Sequence, residues 1–137
     1  MWLNIKMVSI RLLGVHEHVM KVDTGVNFSL MPRSIYNSIN RPNPAGISLR
    51  ECRHRSALLA SYNGQRYEIY TKARIPCYIY YNDTIHILNF YIAENHLEEI
   101  IMGNDNRYKI YDTQLKFFRR WMQSKLHIHP DRHARST

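Results

Sequence analysis

Two runs rich in β-branched and aromatic residues, Ala73 to Tyr81 and Thr84 to Ala93, are separated only by Asn82-Asp83. Runs of this kind bounded by turn residues read as the two strands of a hairpin, and a chain carrying so long a hairpin has to complete its core as a sheet. Pro76 has no amide hydrogen, so its strand is expected at an edge or a bulge there. Upstream, Ser61-Tyr62-Asn63-Gly64-Gln65-Arg66 contains Asn-Gly, whose residues both tolerate positive φ and favour a tight hairpin turn. It follows the short apolar strand Ala57 to Ala60 and precedes the alternating Tyr67, Ile69 and Thr71. Ile5 to Leu13 and Val15 to Val22, joined at Gly14, make another hairpin. The fold class is therefore mainly β. One short helix is expected after Pro32, over Arg33 to Ile39 with Ile35, Tyr36 and Ile39 inward, and another over Asn104 to Tyr111. Thr113 to Phe118 reads as a last strand, and Asn40 to Gly46, extended by the polar stretch Arg50 to Ser56, reads as a surface loop.

Length allows one domain, taken here as residues 1–120, with 121–137 as a basic tail. The formal net charge is +8, and much of the excess lies between Lys109 and Arg135, a basic end rather than a patterned groove. No helix-turn-helix, zinc-finger or ribonucleoprotein signature accompanies it, so nucleic acid is expected only as a secondary partner of that tail. Two cysteines, Cys52 and Cys77, make no disulfide framework. The N-terminal residues carry no long uncharged apolar run, so neither a signal peptide nor a membrane span is expected. His16 and His18 share one strand face but lack a third ligand, and the tract His127 to His133 reads as tail; no metal site is assigned.

One stretch breaks the apolar pattern. Asp23-Thr24-Gly25 sets a carboxylate, a hydroxyl and an unhindered backbone between Val22 and the run Phe28 to Met31. A carboxylate in a short turn between apolar strands is partly withdrawn from water, where charge is costly and acid–base work is favoured. The same tripeptide also fits an Asx turn in which the carboxylate caps local amides. Far downstream, Glu99-Ile100-Ile101-Met102-Gly103-Asn104-Asp105-Asn106 again ends an apolar run in glycine and polar residues.

Asp-Thr-Gly, then a hairpin, then apolar-apolar-Gly before a short helix: this order resembles the retroviral-type aspartic proteases, the retropepsins, over roughly Ile5 to Phe118. The resemblance implies a retropepsin-like closed β-barrel or sheet domain with one or two short helices, acting as a homodimer. With a single Asp-Thr-Gly, Asp23 of each copy would meet its mate on a twofold axis. Two close carboxyl groups share a proton, one activating water and the other polarising the scissile carbonyl, with no metal or cofactor required. The catalytic set implied is Asp23, Thr24 and Gly25, the threonine hydroxyls linking the two loops and the glycine admitting close backbone approach. Substrate would meet Val26, which stands where the family usually has Ala, Asn27, the flap-tip residues Tyr62, Asn63 and Gly64, and Met102. The tip Ser61 to Gly64 departs from the Gly-rich tip of many animal retroviral enzymes, and the hairpin also reads as an ordinary one.

Asn27 and Asn104 stand where those enzymes often pair Asp with Arg, so amide hydrogen bonds are expected in place of an ion pair. Gly103 to Asn106, Ile110-Tyr111 and Gln114 to Phe117 are similar to the proteases of plant pararetroviruses, the caulimovirus family. That likeness implies peptide segments of a viral polyprotein as substrate, and host cytoplasm or virion as the location. Trp2 to Ile5 and Leu115 to Phe118 are candidate dimer strands. The alternative reading is a catalytically inactive peptide-binding module on the same fold.

Overall fold

The computed structural model describes residues 7–40 and 49–110. Strands Met7–Leu12 (β1) and His16–Val22 (β2) form the first hairpin, followed by Leu30–Pro32 (β3) and the helix Arg33–Ile39 (α1). Strands Arg50–Tyr62 (β4), Gln65–Ile79 (β5), Thr84–Ala93 (β6) and Ile100–Met102 (β7) come next, and residues 104–110 are helical (α2). The expected last strand, the candidate dimer strands, the domain boundary near residue 120 and the histidine-containing tail lie outside the described residues, as does most of the loop after Asn40.

Six strands close into a barrel in the order β1-β2-β7-β3-β6-β5, with β5 returning to β1 through Ile10 opposite Ile79, Arg11 opposite Tyr78 and Leu12 opposite Cys77. The period-two pattern determines what points inward. Ile75, Cys77 and Ile79 of β5 meet Leu88, Phe90 and Ile92 of β6 and Val8, Ile10 and Leu12 of β1, all buried in one cluster. Burying each large side chain contributes about 1.5–3 kcal/mol of transfer free energy. α1 has no side-chain cap, so packing is what supports it: Tyr36 and Ile39 are buried, and Arg33 is tied to Glu94 by an ion pair.

β5 is longer than any partner, and its outer edge is shared. β4 pairs with it from Gln65 to Arg74, and β1 takes over from Cys77. Pro76 sits in the gap between the two partners, which is where a residue without an N–H fits, and its carbonyl accepts the Leu13 N–H at 3.1 Å. That bond holds Leu13 at φ 52°, a left-handed conformation costing a branched residue about 1–2 kcal/mol, in the β1–β2 turn with Gly14 at φ 75°.

The polar stretch Arg50 to Ser56 is strand, not the surface loop its composition predicts. Arg50 to Arg53 run in register with Arg74 to Thr71, and an irregularity follows before Leu58 resumes pairing with Ile69. Ladder bonds to the free edge of β5 make it a strand, while wet surroundings let its side chains stay polar. The expected Asn63-Gly64 turn is present, with φ 53° and 76°. Among the described residues no helix is long and apolar enough to cross a membrane.

Candidate active site

Asp23 follows β2 directly, and the barrel fixes where that strand ends. Met20 to Val22 pair in parallel with Ile100 to Met102, so the Asp23 N–H reaches the Met102 carbonyl at 3.1 Å. The chain then turns. Asp23 Oδ1 accepts the Gly25 N–H at 2.9 Å and its carbonyl accepts the Val26 N–H at 3.3 Å. The Asx turn is thus present, and it uses one carboxylate oxygen; among the described residues no hydrogen bond reaches the other, Oδ2. A Cβ on Gly25 would stand 3.3 Å from Oδ1, so a larger residue there would crowd the carboxylate.

A second loop clamps the first. Asn104 N–H donates to the Val26 carbonyl at 2.8 Å, Asp105 N–H to the Asn27 carbonyl at 3.1 Å, and Asn104 Nδ2 to the Thr24 carbonyl at 3.0 Å. The expected Asn27–Asn104 amide pairing does not form: Asn104 Oδ1 instead accepts from Arg107 Nε at 3.0 Å, and Asn27 is held through its backbone. Asn104 Oδ1 is taken up because the helix that begins with Asn104 presents Arg107 one turn later, while its Nδ2 is already committed to the Thr24 carbonyl.

Beneath the clamp lies a buried polar knot that the sequence does not announce. Ser29, fully buried, donates through Oγ to Asp105 Oδ1 at 2.7 Å and accepts from the Gly103 N–H at 2.9 Å and Asn106 Nδ2 at 2.8 Å. Asn106 also donates to the Asn89 carbonyl at 2.8 Å. The loops are pressed so close that a Cβ on Gly103 would lie 2.7 Å from the Phe28 carbonyl carbon. Glycine is required there by space. The one available signal for Ser29 was a hydroxyl inside an otherwise apolar run.

Between this platform and β4 lies a cleft of about 470 Å³, a size suited to small-ligand or side-chain recognition. Gly25, Val26 and Asn27 line one side and Leu58 to Ser61 the other. Phe28 and Tyr91, edge-to-face with centroids 5.3 Å apart, complete the wall. Of the residues read as substrate-binding, Val26 and Asn27 are therefore on the cleft. Tyr62 and Asn63 line a separate hollow of about 370 Å³ with Lys21 and Leu97. Tyr62 is buried there beneath Lys21, whose Nζ is 5.7 Å from the ring; the Tyr62 hydroxyl and then its charge raise the Lys21 pKa. Gly64 is in open space at the turn. Met102 is fully buried in the core and gives the site its carbonyl rather than a side-chain surface.

Phe28, Leu58, Leu59 and Tyr91 are cleft residues that sequence reasoning missed. Their signal was weak: Phe28 follows the acidic turn, and Leu58, Leu59 and Tyr91 read as ordinary strand residues, of which Leu59 proves 65% exposed.

The asx-turned carboxylate, the clamp behind it and the hairpin over the cleft sit on a barrel of retropepsin-like fold. A solved structure similar to it is the EIAV protease complexed with the inhibitor HBY-793, at a TM-score of 0.56 and 13% identity over 79% of this chain and 90% of that one. No family model and no curated protein matches the sequence.

Proposed function

We propose that this chain is an aspartic endopeptidase that works as a homodimer on extended segments of a viral or retroelement polyprotein. The observation that carries the reading is Asp23: Oδ1 is fixed by the Gly25 N–H, Oδ2 has no partner among the described residues, and the loop bearing both borders an apolar cleft under a hairpin. With two copies facing each other, two such carboxylates share one proton, because both cannot carry charge cheaply at contact. The ionised Asp23 takes a proton from water as the water oxygen attacks the scissile carbonyl carbon. The protonated Asp23 of the second copy gives its hydrogen to the carbonyl oxygen. As the intermediate collapses, the C–N bond breaks, the amine leaves with the proton held by the first carboxylate, and the second carboxylate takes back a hydroxyl hydrogen from the new carboxyl group, which restores the shared proton. The β4–β5 hairpin would exclude water from this step.

The plant pararetroviral likeness of residues 103–117 supports a polyprotein substrate and action in host cytoplasm or virion. Cleavage of a peptide library at mildly acidic pH, read by mass spectrometry with Asp23→Asn as control, tests the reading. Activity lost in the control supports it, and equal activity in both proteins ends it. Sedimentation tests the dimer, since a strict monomer that cleaves peptides contradicts a shared site. One observation favours a binding module without turnover: the hairpin end is already packed on its own subunit through Tyr62. In that case peptides bind and remain intact at every pH.

A further inference from the structure

The β4–β5 ribbon carries Arg50, Arg53, Arg55, Arg66, Lys72 and Arg74 against only Glu51 and Glu68. Register sorts these charges by face. Arg50 lies opposite Arg74 and Cys52 opposite Lys72, so Arg50, Lys72 and Arg74 share the outer face, while Thr71 and Ala73 point into the barrel and are buried. Glu51 belongs to the inner face, where its carboxylate accepts the Tyr36 hydroxyl. Like charges directly opposite on a ladder repel, and among the described residues none of these three cations has an ion-pair partner. The row also runs into the cleft: Lys72 Nζ stands 5.4 Å from the Tyr91 ring centroid, and Tyr91 with Phe28 forms the cleft wall.

We propose that Lys72 and Arg74, flanked by Arg50, form an anion-binding subsite, so that the preferred substrate carries carboxylates at alternate residues beside the apolar segment held in the cleft. This deepens the endopeptidase reading and rests on it for the word substrate. An extended peptide sets side chains two apart on one face at about 6.8 Å, and Lys72 and Arg74 have that same separation along β5. One ligand with alternating acidic side chains and an apolar neighbour would satisfy both the unpaired cations and the apolar wall. A phosphodiester chain would meet the cations but leave Phe28, Leu58 and Tyr91 without a matching surface, so the observations favour an acidic peptide.

Fluorescence anisotropy with the Asp23→Asn protein tests this, using two peptides that share an apolar core and differ only as Glu-x-Glu against Gln-x-Gln. Two exposed ion pairs predict about five- to ten-fold tighter binding of the Glu peptide at low salt, shrinking as salt is raised. Lys72→Gln combined with Arg74→Gln abolishes the preference, so that the Glu and Gln peptides bind the variant equally; Arg74→Gln alone, at an exposed position, halves the effect on a logarithmic scale. Equal affinity for the two peptides, or a preference that survives the double substitution, overturns the proposal. So does a double variant that loses only a single-stranded oligonucleotide while still discriminating the peptides. Cleavage by the unsubstituted protein separates the two claims. Turnover of both peptides without preference removes the subsite alone, whereas preferential binding with no turnover of any peptide removes the endopeptidase reading alone.

Discussion

Ser29→Ala deletes the atom at which the two loops meet, and its cost can be worked out from its three partners. Losing Oγ strands them unequally. Asp105 Oδ1 keeps the Asn106 N–H at 2.7 Å, and Asn106 Nδ2 keeps the Asn89 carbonyl at 2.8 Å. The Gly103 N–H, buried and bonded among the described residues only to Ser29 Oγ at 2.9 Å, keeps no partner there. A buried donor left unsatisfied costs about 1–3 kcal/mol, and each of the other bonds about 0.5–1.5 kcal/mol. Allowing for relaxation around a hole one oxygen wide, we expect a loss of about 3 kcal/mol, equivalent to a fall in Tm of about 10 °C for a chain this size. Urea unfolding at fixed protomer concentration measures it. Ser38→Ala is the control, because among the described residues the exposed Ser38 hydroxyl bonds only the Ile35 carbonyl at 2.7 Å, and it should change stability by no more than about 0.5 kcal/mol. Combining Ser29→Ala with Asn106→Ala should cost less than the sum of the two, as they share a bond. A loss below about 1 kcal/mol for Ser29→Ala, or equal losses in the control, refutes the reasoning.

Gly103→Ala drives a Cβ to within 2.9 Å of three backbone atoms of Phe28, so it should cost about 3 kcal/mol and weaken peptide binding together with stability; an unchanged urea midpoint contradicts it. Asn95→Ala removes a side chain that accepts the Glu68 N–H at 2.9 Å and donates to the Arg66 carbonyl at 3.0 Å. Hydrogen exchange at the Glu68 amide should accelerate about five-fold, and unaltered exchange means the hairpin is not held there. Burial, and secondarily the charge of Lys109, depresses the His86 pKa, so its stabilising contribution is present above the ordinary histidine value and is lost as pH falls through the depressed folded value. His86→Gln should therefore flatten the fall of stability with pH just below the ordinary histidine value without abolishing the slope, because burial and His16 depress His18 in the same direction. Identical slopes before and after substitution refute this.

Turn chemistry made three hairpins legible, since Gly14, Asn63-Gly64 and Asn82-Asp83 take their backbone angles from local preference, with Asp83 at φ 55°. β3 and β7 were harder. Each has three residues, all buried, so neither alternates, and their parallel partners Tyr91 to Ala93 and Met20 to Val22 are distant in the chain. The first half of β4 was misread for the opposite reason: a strand wet on both faces loses its apolar signature, and only the free edge of β5 identifies it. The acidic turn was visible as a motif, but Ser29, Asp105 and Asn106 meet across more than 70 residues, which no local pattern encodes. The basic row was hidden similarly. Composition drew attention to the C-terminal charges, and the register is what gathers Arg50, Lys72 and Arg74 onto one face.

The division of hydrogen bonds within the acidic turn bears most directly on the functional reading. Every peptide group from Asp23 to Asn27 that the second loop touches is fixed by backbone or amide contacts, so the platform depends on its own chain for rigidity. The carboxylate is treated differently, since its Oδ1 closes the turn and its Oδ2 is left without a protein partner among the described residues. A purely structural Asx turn would be equally served by asparagine, whose side-chain oxygen accepts the same Gly25 N–H. Asp23→Asn therefore separates the two roles. Unfolding should move by less than about 0.5 kcal/mol because the turn survives, while any peptide cleavage should vanish because the amide can neither take a proton from water nor share one with a second copy. Matched losses of stability and cleavage would instead assign the carboxylate to the fold.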